Sequence, residues 1–152
     1  MQNIIENIKL TRQWLLESIK ELTPQQLNHI PSGFNNNIIW NLAHLISAQQ
    51  GLCYARAGQP LIIDEYLFTN YKTGSKPEAN VEGAEIEKIK SLMISTLLKL
   101  EEDYHNNIFN NYAPFKTRYQ VEIKNIDEAI SFIQFHEGLH IGAIAALKKL
   151  VA

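Results

Sequence analysis

The sequence has little cysteine, no excess of basic charge and few residues that break helices. Cys53 is the one cysteine among 152 residues, so the fold does not depend on a disulfide framework, and a lone thiol fits a reducing compartment. The chain carries 14 Lys and Arg against 16 Asp and Glu, a net charge of -2. Nucleic-acid binding needs Lys and Arg gathered into a basic stripe. The composition therefore argues against nucleic acid as a partner.

Apolar runs are also too short to predict a membrane partner. Residues 1–10 alternate polar residues with isoleucines, unlike the apolar core of a signal peptide. Nowhere does an uninterrupted apolar run approach the ~20 residues that span a bilayer. We therefore expect a cytoplasmic protein. Its composition, 45% apolar and 20% charged, is typical of globular proteins, and its length fits one domain, residues 1–152.

Apolar residues recur every three or four positions in four long segments, the pattern of amphipathic helices. The first predicted helix covers residues 4–22 and the second covers 35–57. The third follows an apolar stripe over residues 86–104, and the last begins at Asn125 and continues almost to the end. Long connections separate the second helix from the third and the third from the last. Four such helices without a convincing sheet predict an all-α fold, a four-helix bundle.

Shorter features lie between these helices. Thr23 followed by Pro24 predicts a short helical turn, and Gly58 is placed to end the second helix in a left-handed conformation. Within the two long connections, residues 64–68 are expected to form one helical turn, and the alternating residues 118–123 to be extended or partly strand-like.

Two histidines on the last helix are candidate metal ligands. His136 and His140 are four residues apart, so they project from one helix face about 5 to 6 Å apart. Two neutral imidazoles in that arrangement can bind one divalent ion at ~2.0 to 2.1 Å. They lie on the stripe expected to be buried, where polar rings without partners are costly. The alternative is that they are ordinary core or surface histidines.

A third candidate ligand, His44, lies on the apolar side of the second helix. Asn41 is one turn before it, and the small residues Ala48 and Gly51 follow it on the same face, leaving room for a pocket that Trp40 is placed to wall. His44 lies ~14 Å along its helix and the other two ~15 to 21 Å along theirs. The three histidines would lie at the same depth in the bundle if the two helices pack together. Three histidines with an open coordination position form a site that binds water or substrate.

The other two histidines are His29, in the loop after the first helix, and His105, in the polar end of the third; both are interpreted as ordinary core or surface histidines. Residues 136–140 also match H-E-x-x-H, the zinc metallopeptidase pattern in which the glutamate is the general base. That interpretation is disfavoured because residues 141–152 contain no further His, Asp or Glu to complete the site. Glu137 remains a candidate for proton transfer or for orienting a bound group.

Two segments carry a resemblance to a known family. They are W-N-L-A-H-L at residues 40–45, preceded by the turn at 27–31, and H-E-G-L-H-I-G at residues 136–142. Their order, spacing and near-terminal placement resemble the DinB-like (YfiT-like) four-helix-bundle superfamily. The likeness covers nearly the whole chain.

The resemblance implies that His44, His136 and His140 bind one divalent metal ion, most often nickel or zinc, in a pocket of the bundle. It also implies that homodimers are common. Members with a known activity are metal-dependent S-transferases that use low-molecular-weight thiols such as bacillithiol or mycothiol, or related isomerases. The family's name refers to DNA-damage-induced expression and does not imply DNA binding.

Three functional hypotheses follow. The first is a metal-dependent enzyme acting on a small electrophilic substrate, a thiol S-transferase of the bacillithiol type, in which Asn41 and Glu137 orient the bound nucleophile. The second is a non-catalytic bundle that binds a metal or a small ligand. The third is an interaction protein whose histidines are structural. Both metal hypotheses predict binding that weakens below about pH 6, because a protonated imidazole cannot be a ligand.

Overall fold

A computed structural model describes residues 1–151, which form a mostly helical domain. The four long helices are α1 (Gln2–Ser18), α3 (Ile38–Gln49), α5 (Gly83–His105) and α6 (Ile126–Val151). Between them lie two short helices, α2 (Pro24–Asn28) and α4 (Glu65–Asn70), and two antiparallel strands, β1 (Phe115–Lys116) and β2 (Glu122–Ile123). The predicted all-α class is therefore confirmed, with two short helices and a minimal hairpin added to the four long helices.

Helix α3 is the centre of the bundle. It packs against both α5 and α6, and α1 packs against the same two helices. Every residue of α3 except Ala48 is buried, which is typical of a helix enclosed on all sides. The condition that the sequence left open, contact between the helices that carry the histidines, is therefore met.

The bounds of α3 follow from local interactions at its two ends. The Asn37 side chain accepts a hydrogen bond from the Trp40 N–H at 2.9 Å, so the helix begins at Ile38 rather than at residue 35. Beyond Gln49 the chain continues through a π-helical turn, Gln50–Tyr54, and a 3-10 turn, Ala55–Ala57. It ends at Gly58, whose φ of 67° is left-handed, as predicted.

The two long connections fold over the side of the bundle formed by α3 and α6. The predicted turn at residues 64–68 is confirmed and extends to Asn70 as α4, capped by the Asp64 side chain, which accepts from the Leu67 N–H at 2.8 Å. Of residues 118–123, expected to be extended or partly strand-like, only Glu122–Ile123 form a strand, β2; residues 118–120 form the turn of the β1–β2 hairpin, in which Phe115 lies opposite Ile123. These two connections build the walls of the cavity described below.

A layer of polar side chains separates two hydrophobic clusters of the core. One cluster includes Leu15, Ile46, Met93 and Ile144, and the other includes Ile8, Cys53, Leu97 and Ile133. On each long helix one buried polar residue stands between the two sets; in chain order these residues are Arg12, Gln49, Thr96 and Glu137. This polar layer joins all four long helices at one level.

Helix α6 is long and apolar enough to cross a membrane by length and composition alone. A core helix passes the same test, and α6 packs against α1 and α3 with the buried carboxylate of Glu137 paired to Arg12. These contacts make the composition weak evidence for a membrane span. The cytoplasmic location stays a prediction.

Candidate metal centre

Three histidines from two helices meet at one point on the side of the bundle. His44 comes from α3, while His136 and His140 come from successive turns of α6. One ring nitrogen from each lies within 4.8 Å of those of the other two, so the three form a group able to hold a metal ion. His44 is 4% exposed and the other two are half-buried.

Hydrogen bonds fix the orientation of two of the three rings. The Nδ1 of His44 lies 2.6 Å from the carbonyl oxygen of Tyr71, and the Nδ1 of His140 lies 2.7 Å from the Oδ1 of Asn41. Both partners are acceptors, so each Nδ1 carries the proton and each neutral ring keeps a lone pair on Nε2. Nitrogen ligands in metal sites are commonly oriented in this way.

The orientation of the Asn41 amide is itself fixed. Its Nδ2 donates to the carbonyl oxygen of Asn37 at 2.7 Å and to the Oδ1 of Asn36 at 3.0 Å. With both donors engaged, Oδ1 is the atom that faces His140. In the structure Asn41 thus contacts a candidate ligand, and the role predicted for it, orienting a bound nucleophile, stays a prediction.

The spacing of the free nitrogens fits a single divalent ion. The Nε2 atoms of His44 and His136 are 3.3 Å apart. Two nitrogens bound tetrahedrally to one zinc at ~2.1 Å lie roughly 3.4 Å apart. Two facing lone pairs repel each other unless a proton or a cation lies between them, and a metal ion satisfies both at once. The residues present therefore fit the metal that the donor set implies.

Trp40 supports the ring of His44 from one side. The two rings are stacked, with centroids 4.7 Å apart and an angle of 8° between their planes. The Trp40 indole also lies against His140 at a centroid distance of 6.5 Å. Trp40 thus walls the site, as the sequence predicts.

Burial keeps the three rings neutral. Burial is the main cause of a lowered pKa in each. The pKa of His44 is lowered, that of His136 is lowered to about 3 and that of His140 to about 4. The nearby positive charge of Arg118 contributes to each of these shifts. Because metal binding requires neutral imidazole, the three side chains are in the binding-competent form at pH 7.

The histidines form part of the wall of a cavity of about 680 Å³. Ala48 and Gly51, the small residues predicted to leave room beside His44, line it together with Trp40. Other parts of its wall come from α4, which supplies Phe68, from the β1–β2 hairpin, and from Phe132 of α6. The site therefore has space for a molecule beside the three nitrogens, unlike a closed structural metal site.

Glu137 lies in the polar layer of the core and is not among the residues that line this cavity. It is 2% exposed, and its Oε1 accepts from Arg12 Nε at 3.0 Å and Arg12 Nη2 at 2.6 Å. Its Oε2 has no hydrogen-bond partner among the described residues, so the carboxylate depends on Arg12. These contacts make Glu137 part of the buried polar layer, and the role expected for it from the sequence, proton transfer or orienting a bound group, stays a prediction.

Arg12 itself is fully buried and connects all four long helices. Besides Glu137, it donates from Nη1 to the Gln49 Oε1 at 3.1 Å and to the carbonyl oxygen of Met93 at 2.9 Å. The role of Arg12 was not predicted from the sequence. The available indication was its position on the apolar stripe of the first helix, between Ile8 and Leu15.

The remaining histidines and the cysteine lie outside the site. His29 and His105 are exposed and do not line the cavity. Cys53 is fully buried, and its burial raises the pKa of the thiol, which agrees with the expectation of a small apolar core residue. The Tyr71 carbonyl behind His44 was not predicted, because a backbone acceptor leaves no trace in the sequence.

Comparison with known proteins identifies the family to which this chain belongs. No curated protein matches the chain. The family model described as the DinB superfamily matches residues 7–144, a span that contains all three histidines and every long helix except for parts of α1 and α6. The chain therefore belongs to the DinB superfamily.

Proposed function

We propose that this protein is a divalent-metal-dependent enzyme that joins a low-molecular-weight thiol to a small electrophilic substrate. The observation that carries the proposal is the opening of three neutral imidazoles, two of them oriented by hydrogen bonds, onto a cavity of about 680 Å³. Nickel and zinc are the expected ions, since imidazole suits both. A divalent ion bound there supplies Lewis acidity that lowers the pKa of a thiol or water beside it.

The proposed reaction balances without a redox partner. The thiol loses its proton to solvent, its sulfur forms a bond to an electrophilic carbon, and that carbon releases its leaving group together with the bonding electron pair. The protein's part is to hold the two reactants beside each other. Placing reactants in this way replaces a bimolecular encounter by a reaction between oriented groups.

The cavity supplies the surfaces that this role needs. Trp40, Phe68 and Phe132 present aromatic rings to it, which suit an apolar electrophile. The contacts of His44 and His140 with Tyr71 and Asn41 hold their free nitrogens toward the same space.

The proposal is tested by elemental analysis and by a turnover assay on the same samples. Tag-free protein, purified without chelators, is expected to contain about one nickel, zinc or similar ion per chain, and to accelerate conjugation of a thiol to a chloronitrobenzene across a series of thiols. His140→Ala is expected to lose both the metal and the activity. His105→Ala, which changes an exposed histidine outside the site, is the matched control and should retain both.

A non-catalytic metal-binding bundle is the second candidate, and one observation favours it. Among the described residues, no Asp or Glu lines the cavity, so the site lacks a carboxylate general base. An ion bound by His44 and His136 would join α3 to α6 and stabilise the fold. Metal present at full occupancy with no acceleration of any thiol reaction, and a lower melting temperature in His140→Ala, would favour this candidate.

A homodimer forms part of the same proposal. One face of α6 is exposed and lacks charge over its central turns, and it comprises Phe135, Gly138, Leu139, Gly142 and Ala146. Glycines on a helix face allow a second helix to approach closely, and exposed apolar patches are typical of association surfaces. The expected occupant is the same face of a second copy, related by two-fold symmetry.

A further inference from the structure

The charged residues around the cavity are all of one sign. Arg56, Lys72, Lys116 and Arg118 line it, and among the described residues no Asp or Glu does. The chain as a whole is slightly acidic, with a net charge of -2. Positive charge is therefore concentrated at this opening and is not a general property of the surface.

These four cations converge from three separate parts of the chain. Arg56 lies in the 3-10 turn that follows α3, Lys72 follows α4, and Lys116 and Arg118 belong to the β1–β2 hairpin. All four are exposed. Positive side chains at the same opening repel one another, so their convergence has an electrostatic cost that an anion between them would offset.

Carboxylates of the protein do not neutralise these cations. Seven of the other Lys and Arg residues form ion pairs with Asp or Glu, whereas Arg56, Lys72, Lys116 and Arg118 form none among the described residues. Two of the four rest on aromatic rings instead. Arg56 lies 4.1 Å from the centroid of Phe115, and Arg118 lies 4.9 Å from that of Tyr119. A cation–π contact positions a guanidinium while leaving its N–H groups free to donate.

Arg118 lines the same cavity as the three histidines. Its Nη2 also donates to the Tyr119 hydroxyl at 2.7 Å, which holds the guanidinium beside the opening. A negatively charged group entering the cavity would therefore meet a positioned donor.

We propose that the cavity selects a small organic anion, with a carboxylate or phosphate held by Arg118 and Lys116 and an apolar or aromatic body lying against Trp40 and Phe132. The inference rests on the proposed function, because it names the class of substrate for the same site. Arg suits both anions, since its planar donors match carboxylate and phosphate oxygens. A cavity of about 680 Å³ is in the range of small-molecule sites.

The test uses four probes of similar shape and different charge. They are 3-phenylpropionate, phenyl phosphate, the neutral 3-phenylpropanamide and the cationic 3-phenylpropylamine, each titrated into the protein by isothermal calorimetry at low salt. Metal-free protein is used first, because a carboxylate or phosphate can also bind a metal ion directly. We expect both anions to bind at least about tenfold more tightly than the amide, and the amine to bind most weakly. The two anionic probes separate carboxylate from phosphate preference.

Variants locate the binding. Arg118→Gln combined with Lys116→Gln is expected to reduce anion affinity about tenfold or more, to the level of the amide. Lys124→Gln with Lys148→Gln removes the same number of charges from positions that do not line the cavity and is expected to leave anion binding unchanged. Equal affinity for the amide and the anions, or an equal loss in both double variants, would overturn the inference.

The outcome is independent of metal binding. Titrations of zinc-loaded protein and metal analysis of each variant accompany the calorimetry. If the protein takes up no metal but anion binding still depends on Arg118 and Lys116, the metal-dependent enzyme proposal fails and the anion site stands. If metal binds and the anion preference is absent, the substrate class is wrong while the metal centre remains.

Discussion

The Nδ1 of His140 on α6 lies 2.7 Å from the Oδ1 of Asn41 on α3. One helix thus supplies both a candidate ligand, His44, and the acceptor that orients a candidate ligand on its neighbour. The contact spans the interface between the two helices. It makes the geometry of the histidine group depend on how α3 and α6 pack.

Replacing Asn41 by Ala should weaken metal binding without removing a ligand. The His140 ring would lose the acceptor that keeps its proton on Nδ1. Hydrogen bonds that orient metal ligands in this way typically contribute 10- to 100-fold in metal affinity. Competition with a chromophoric chelator measures the change. Asn70→Ala, at an exposed amide outside the site, is the control; equal affinity in both variants would contradict the role given to Asn41.

Replacing Arg12 by Met should destabilise the fold strongly. The substitution leaves the buried carboxylate of Glu137 without its partner, a change that costs about 3 to 5 kcal/mol. Urea unfolding measures it. The double variant Arg12→Met/Glu137→Gln should recover part of the loss, because the uncompensated charge is gone.

The exposed pair between Lys88 and Asp64 is the matched control for Arg12. Removing an exposed partner by Lys88→Met should lower the free energy of unfolding by less than about 1 kcal/mol. If Arg12→Met and Lys88→Met had similar effects on the free energy of unfolding, the polar layer would contribute little to stability.

Acid should destabilise the metal-free protein through its histidines. In the folded state the pKa of His140 is lowered to about 4 and that of His136 to about 3, whereas in the unfolded chain both titrate near about 6.5. Below that pH the unfolded chain binds more protons, so the free energy of unfolding falls as the pH falls from about 6.5 toward 4. Urea unfolding across this range tests the slope, which should be shallower in His136→Gln.

The same lowered pKa values revise the pH range expected for metal binding. An ordinary histidine triad would lose affinity below about pH 6. Here the imidazoles stay neutral to lower pH, so we expect affinity to persist at pH 5.5 and to fall as the pH approaches 4. Chelator competition at pH 7, 5.5 and 4.5 measures this. A steep loss between pH 7 and 6 would show that the rings titrate normally.

A charge on the exposed face of α6 should disrupt the proposed dimer. Leu139 is 42% exposed on that face, and Leu139→Glu would place like charges opposite each other in a two-fold interface. Sedimentation velocity is expected to show a dimer for the wild type and a monomer for the variant. Leu98→Glu, at a similarly exposed leucine on α5, should remain dimeric. A wild-type monomer at all concentrations would exclude this dimer.

The sequence predicted those features that depend on local interactions or on helical period. The long helices, the left-handed Gly58 and the shared face of His136 and His140 all follow from residue spacing, and the structure confirms them. That His44 lies beside them depends on which helices pack together, and only the family resemblance implied it. A role beside the metal was predicted for Glu137 because it is next to a candidate ligand in the chain, but consecutive residues on a helix point in different directions. Glu137 instead reaches Arg12, 125 positions away in the chain.

The polar layer of Arg12, Gln49, Thr96 and Glu137 also fixes the positions of the four long helices along the bundle axis. The hydrophobic effect is non-directional, so apolar side chains alone specify the relative position of two helices less sharply than a hydrogen-bonded ion pair does. A guanidinium with a single buried carboxylate partner does not tolerate sliding, since a shift of α6 by one turn, about 5.4 Å, would separate the two charges. The same shift would carry His136 away from His44. The ion pair thus sets the position of α6 along the bundle axis at which the imidazoles of His136 and His140 lie beside that of His44.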